Sequence, residues 1–297
     1  MKEPEFEMIP QPEGWFSASP LPTQAALQEF YARLYYQAPQ STTYQAAYED
    51  LDDRYKRLKC TALLHALSGQ GMGEAAGFLD IGAGEGFLMD AAARRGLSVT
   101  GIDFSAFAIG KFFPRLQDRL IAGDVFETLD RFSAEGRRFQ ACSAINVLEH
   151  VVDPGRLLAS IRGVLDPSGV LAITVPNDFS RLQALLRAEG FIDREFWCAA
   201  PQHLHYFNAE NLPRFCAARG YEVLDAFSDF PIDLFLLHPG SNYVADAGNG
   251  PAAHRARVLH DLLIADAGLD RYLAFYRAMF QVGVGRDITV VLRPTVC

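Results

Sequence analysis

The chain of 297 residues predicts an α/β fold, a doubly wound parallel sheet covered by helices on both faces. Three observations carry this expectation. From Phe78 onward, short apolar runs alternate with stretches of helical periodicity, the pattern of parallel strands joined by right-handed helical crossovers. In the stretch "FLDIGAGEGFLMD", residues 78–90, a buried-strand pattern passes into a helix through Gly82, Gly84 and Gly86. Glycine accepts positive φ and has no Cβ, so this turn can be tight and a ligand can lie against it. The composition, 49% hydrophobic and 21% charged, is enough to bury a full core in one domain with additions.

The elements follow in order. The first twenty or so residues are rich in Pro and Glu and read as an arm or flexible lead-in. A helix is expected from the spacing of Leu27, Phe30, Tyr31 and Leu34, and a second from Tyr44 to about Leu67. Then come strand "GFLDIG", a helix to Arg95 closed by Gly96, strand "LSVTGIDFS", a helix over 107–113 and strand "LIAGDVF". Strand "FQACSAINV", a helix over 153–165 and strand "GVLAITVPN" continue the rhythm, which breaks after Asn177. Beyond "PQHLHYFN" lie helix "AENLPRFCAARG" and strand "YEVLDAF". Residues 228–286 form a long insertion with an amphipathic helical run, and strand "GRDITVVLRP" closes the chain. Insertions of this length are usually lids or binding elements.

The net charge of -9 argues against a surface that tracks phosphates, so a nucleic-acid partner is not expected. No apolar run approaches a membrane span, and "MKEPEFEMIPQPEGW" lacks the apolar centre of a signal peptide, so a cytoplasmic location is expected. Cys60, Cys142, Cys198, Cys216 and Cys297 form no C-x-x-C pair; neither a metal site nor a disulfide framework is expected.

Two ligands compete for the glycine turn. A dinucleotide site favours G-x-G-x-x-G, whereas the spacing here is G-x-G-x-G with Asp80 two positions before the first glycine. An acid that ends the second strand, Asp103 in "GIDFS", suits ribose hydroxyls in either case, since each carboxylate oxygen can accept from one hydroxyl. With "AGDVF" after the next strand and "INVLEHV" after the fourth, the pattern resembles the class I S-adenosylmethionine-dependent methyltransferases. The segment "VLEHVVDPGRLLASIRGVLDPSGVLAITVPN" followed by "HLHYF" resembles their small-molecule branch, which includes the ubiquinone-type O-methyltransferases and enzymes of sugars and natural products. The resemblance spans roughly residues 51–226 and the last strand.

It implies a Rossmann-like, seven-stranded sheet with an antiparallel final hairpin, N-terminal helices and a helical insertion. It implies S-adenosyl-L-methionine as cofactor, held by Asp80, Gly82, Ala83, Gly84, Gly86, Asp103, Phe104, Ser105, Asp124, Val125, Asn146 and Val147. Asp124 would accept the adenine amino group. The expected division is 1–70, an N-terminal arm and possible lid; 71–227, the cofactor-binding core; 228–284, a helical insertion acting as acceptor lid or subunit contact; and 285–297, the final core strand. The expected reaction is methyl transfer to a small-molecule acceptor, a hydroxyl of a sugar or other secondary metabolite. N- or C-methylation of a small metabolite, or a non-catalytic binding or assembly protein, stands as the alternative, and a homodimer stays open.

A hydroxyl acceptor must lose a proton, and histidine suits that at neutral pH. His150 stands at the end of the fourth strand. His203 and His205 alternate across Leu204, so an extended segment would point both to one side. His238 lies in the insertion, and Tyr35, Tyr36 and Tyr44 are candidates to close over the cofactor.

Overall fold

The structure, a computed structural model, describes residues 6–24, 26–27 and 48–295. Phe30, Tyr31, Leu34, Tyr35, Tyr36, Tyr44 and Cys297 fall outside these, and most of the first expected helix with them. Of the two readings of the first twenty residues, arm or flexible lead-in, the flexible one is overturned: they build an ordered arm, the hairpin of β1 (Glu7–Pro10) and β2 (Phe16–Ser19). Trp15 explains the correction: its indole stacks on Phe207 at 5.2 Å and meets Phe215 edge-on at 5.3 Å, so the arm is anchored in the core.

The main sheet comprises β3 (Gly77–Ile81), β4 (Ser98–Asp103), β5 (Leu120–Ala122), β6 (Phe139–Ile145), β7 (Leu165–Pro176), β9 (Tyr221–Ser228) and β10 (Asp287–Pro294). Its order is β5-β4-β3-β6-β7-β10-β9, and β10 runs antiparallel to both of its neighbours. This is the Rossmann-like, seven-stranded arrangement with the antiparallel ending. The short β8 (His205–Tyr206) joins β2 in the small sheet.

Successive side chains of a strand face opposite sides, and both sides of this sheet are covered. Phe78 packs into a core with Leu64 and Leu67 of helix α1 (Asp50–Gly69) and Met89 of α2 (Phe87–Arg94). Its neighbour Leu79 packs into the other core, with Leu157, Leu158 and Ile161. After α3 (Phe107–Phe112), the expected strand "LIAGDVF" stops at Ala122. The Asp124 carboxylate accepts the Phe126 and Glu127 N–H groups, so Val125 and Phe126 open a helix, α4 (Val125–Ala134), that the periodicity reading passed over. Asp153 caps α5 (Pro154–Val164) in the same way, with Pro154 at the first helical position. Helices α6 (Arg181–Ala188) and α7 (Asn211–Ala217) follow β7 and β8.

The single helical run expected in the insertion is two helices, α8 (Gly250–Ala265) and α9 (Leu269–Gln281), parted by Gly268 at φ 98°. Tyr272, Leu273 and Tyr276 of α9 are buried in the same core as Phe227 of β9, so this helix covers the sheet edge. Asp229 ties the two ends of the insertion together. Its Oδ1 accepts the Arg286 and Asp287 N–H groups at 3.0 and 2.7 Å, and its Oδ2 accepts the Lys59 ammonium of α1 at 2.9 Å. Among the described residues no helix is long and apolar enough to cross a membrane.

Candidate functional site

A cavity of about 620 Å³ opens at the carboxyl ends of the parallel strands, where an open α/β sheet leaves its crevice. One half is built from the β3–α2 turn, the end of β4 and the starts of α4 and the β6 loop. Gly82 and Gly86 adopt φ of 71° and 87°, conformations that burden any residue with a Cβ. A Cβ at Gly82 would run into the Val147 side chain, and one at Gly86 would sit 2.9 Å from Ile109 Cγ1. At Gly82 and Gly86 the turn therefore has no room for a side chain, and its backbone forms a cradle. Asp103 sits beside it, buried, with Oδ2 accepting the Gly84 N–H at 2.9 Å and Oδ1 accepting the Ser105 N–H at 3.0 Å. Each oxygen keeps a lone pair for a further donor. Asp80 lies below, accepting the Ser143 hydroxyl at 2.7 Å, and burial pushes its carboxyl up to about 7.

Ala83, Phe104, Val125, Asn146 and Val147 line this half as well. Two expected contacts point elsewhere. The Ser105 hydroxyl accepts the Phe107 N–H at the start of α3. The Asp124 carboxylate is engaged as the α4 cap and by the Gln24 amide at 3.1 Å, while its neighbours Gly123 and Val125 face the cavity.

The other half lies over the ends of β6, β7, β9 and β10. His150 donates from Nδ1 to the Gln202 carbonyl at 2.7 Å, which leaves the lone pair on Nε2, 3.7 Å from Glu149 Oε1. The His150 and His203 rings meet edge-to-face at 4.8 Å. Burial holds both imidazoles near 4, so both are neutral at neutral pH. Glu149 is 1% exposed, and among the described residues neither of its carboxylate oxygens has a hydrogen-bond partner; His203 Nδ1 has none either. Burial raises the Glu149 carboxyl well above the usual range. Glu149, His150 and His203 bring one donor atom each within 4.8 Å of one another, a mixed nitrogen and oxygen set that divalent cations also accept.

The expectation that His203 and His205 share a face fails. The extended backbone begins only at His205, so strand alternation does not reach back to His203. His205 is buried in the small sheet, with Nδ1 against the Ser17 hydroxyl at 2.9 Å and Nε2 against the Val151 carbonyl at 2.9 Å; His203 faces the cavity. His238 caps a short helical turn through the Gly240 N–H and does not line the cavity. Sequence reasoning missed Glu149, Lys59, Asp229 and Asp287 as lining residues. Glu149 carried one signal, a lone acid among the apolar residues of "INVLEHVV". The other three meet only through tertiary packing.

A protein family described as a methyltransferase domain matches residues 53–226. Among curated proteins, the ubiquinone biosynthesis O-methyltransferase of Coxiella burnetii (strain Dugway 5J108-111) is 30% identical over 149 residues, 50% of this chain and 64% of that protein. The enzyme of the same name from Actinobacillus pleuropneumoniae serotype 5b (strain L20) is 30% identical over 105 residues, 33% of this chain and 45% of that protein. The chain thus spans about half the length of the curated relatives it matches. Among solved structures, the Burkholderia thailandensis 1,6-didemethyltoxoflavin-N1-methyltransferase, with bound 1,6-didemethyltoxoflavin and S-adenosylhomocysteine, superposes with a TM-score of 0.53 at 17% identity, covering 100% of this chain and 98% of that one. A SAM-dependent methyltransferase from Archaeoglobus fulgidus gives a TM-score of 0.50 at 18% identity, with 81% and 96% covered. These two likenesses establish the shared fold.

Proposed function

The chain belongs to the methyltransferase-domain family, and from that premise we propose that it transfers a methyl group from S-adenosyl-L-methionine to a small-molecule acceptor. The observation that carries the reading is the glycine cradle beside Asp103. The turn admits no side chain at Gly82 or Gly86, and a buried carboxylate is pre-aimed by two backbone N–H groups while each oxygen keeps a lone pair. A ribose, whose adjacent hydroxyls donate, fits that pair of acceptors. When bound, the cofactor supplies an electrophilic methyl group on a sulfonium.

The protein's part is to place the acceptor in line with that methyl and keep water out, which positioning and enclosure achieve together. His203 faces the far half as a neutral imidazole whose Nδ1 has no partner among the described residues; it is the group placed to take a proton from an acceptor hydroxyl, and the burial that holds it near 4 must be relieved in the loaded site for it to act as a strong base. His150 is fixed by the Gln202 carbonyl and packs edge-on to His203, which orients that ring. The acceptor we propose is a hydroxyl-bearing metabolite. The same reading takes the protein to be cytoplasmic and to act on small molecules rather than nucleic acid.

Calorimetric titration with S-adenosylhomocysteine tests the cofactor half. Wild type is expected to bind, and Asp103→Ala to bind about ten- to a hundredfold more weakly, as expected for lost charge-assisted hydrogen bonds of roughly 1.5–3 kcal/mol. Equal affinity in the two proteins would refute the ribose assignment.

A further inference from the structure

Among the described residues, the acceptor half carries acids without a matching supply of free cations. Glu149, Asp229 and Asp287 line it, and the two lysines that line the cavity are already committed: Lys59 Nζ is 2.9 Å from Asp229 Oδ2, and Lys56 Nζ, on the glycine side, is 2.7 Å from Glu85 Oε2. A cluster of acids alone says little, because such groups are often merely solvated. Glu149 is different. It is 1% exposed, lines the cavity, and has no hydrogen-bond partner on either carboxylate oxygen among the described residues. Folding has stripped that carboxyl of water and, among the described residues, left both oxygens short of a well-formed hydrogen bond, an arrangement native proteins keep where a ligand completes it.

Resting on the cofactor reading above, we propose that the acceptor bears no negative charge, and that an N–H or O–H group of a neutral or amine-bearing acceptor donates to Glu149 beside His203. A carboxylated or phosphorylated acceptor would desolvate its charge against a wall lined by Glu149, Asp229 and Asp287, and among the described residues no uncommitted lysine or arginine lines that wall to receive it. A donor instead gives Glu149 the hydrogen bond it lacks, and an ammonium also gains from the surrounding acids. Glu149 thereby sets which acceptors enter, and His203 meets the reacting hydroxyl.

Three phenols that share one ring and hydroxyl but differ in the charge of the tail make the test: tyramine, 4-ethylphenol and 4-hydroxyphenylacetate. Each is titrated calorimetrically into protein saturated with S-adenosylhomocysteine. Tyramine is expected to bind at least tenfold more tightly than 4-hydroxyphenylacetate, with 4-ethylphenol between, and Glu149→Gln is expected to shrink the gap to under threefold. The wild-type ranking alone decides the charge preference, even if the variant folds poorly. Tighter binding of 4-hydroxyphenylacetate, no binding of tyramine at millimolar concentration, or an unchanged gap in a folded Glu149→Gln protein would overturn the proposal. So would a Glu149→Gln protein that loses affinity for S-adenosylmethionine but not for S-adenosylhomocysteine, since the carboxyl would then serve the sulfonium. Failure of the cofactor reading has its own signature, absence of heat with S-adenosylhomocysteine before any phenol is added.

Discussion

The two halves of the cavity are finished to different degrees. In the glycine half every buried acid already has partners: Asp103 holds two backbone N–H groups and Asp80 holds the Ser143 hydroxyl. In the far half Glu149 and His203 Nδ1 have none among the described residues. A pocket wall that is satisfied before anything binds is rigid and takes a ligand of fixed shape. A wall with unmet hydrogen bonds draws its completion from the ligand, and discriminates by leaving the wrong one unpaired. The difference suits a site in which one component is invariant and the other is selected.

The largest effect expected from disturbing this contrast is at Gly82. Gly82→Ala imposes the left-handed penalty and a collision with Val147 on the finished half, together about 2–5 kcal/mol of stability. Urea unfolding measures it; a loss under about 1 kcal/mol would mean the turn tolerates side chains and is no cradle. Next comes His203→Ala on the unfinished half. Once an acceptor is identified, kcat is expected to fall roughly a hundredfold with S-adenosylhomocysteine affinity unchanged. If affinity for that ligand falls instead, the boundary between the halves is misdrawn.

A third test uses the contrast between His203 and His205. Burial depresses His205 to about 4 from an unfolded value near 6.5, so its neutral form favours the folded state. That contribution is complete above pH 6.5 and is lost as pH falls from 6.5 towards 4, because the unfolded chain takes up the proton first. Between pH 7.5 and 5 the loss is about 2 kcal/mol for this residue, and His205→Gln should flatten that part of the pH–stability profile by the same amount. An identical slope in the variant would show that other groups set it. The smallest effect is at Asp124. Asp124→Ala should cost about 1 kcal/mol as a lost helix cap and Asp124→Ser should recover most of it. Cofactor affinity that falls more than about threefold in the serine protein would restore the carboxylate to the adenine.

What could be read in the sequence follows the same line. The strand and helix alternation, the glycine turn and Asp103 were legible because they depend on neighbours in the chain: apolar spacing, a turn that only glycine makes cheaply, an acid at a strand end. The hairpin of β1 and β2 was not, because its anchor is the stacking of Trp15 on Phe207 and Phe215, far away in sequence. Asp124 was legible as an acid but not as a cap, since α4 starts where an apolar pair had suggested more strand. The far wall was the least legible. Lys59, Asp229 and Asp287 come from three separate elements, and no local pattern marks their meeting.

The Asp229 knot has a consequence for how the fold can change. Ser228 and Ile288 are register partners on neighbouring strands, so everything between them departs from and returns to one point on the sheet edge. The chain entropy of closing such an excursion grows only as the logarithm of its length, about 0.6 kcal/mol for each doubling. The stretch between Phe230 and Gly268 can therefore be lengthened, shortened or exchanged at little entropic expense, provided that α9 still covers β9 and the knot is kept. The edge of the sheet is in effect a socket, where a different insertion can be fitted without rebuilding the sheet beneath it.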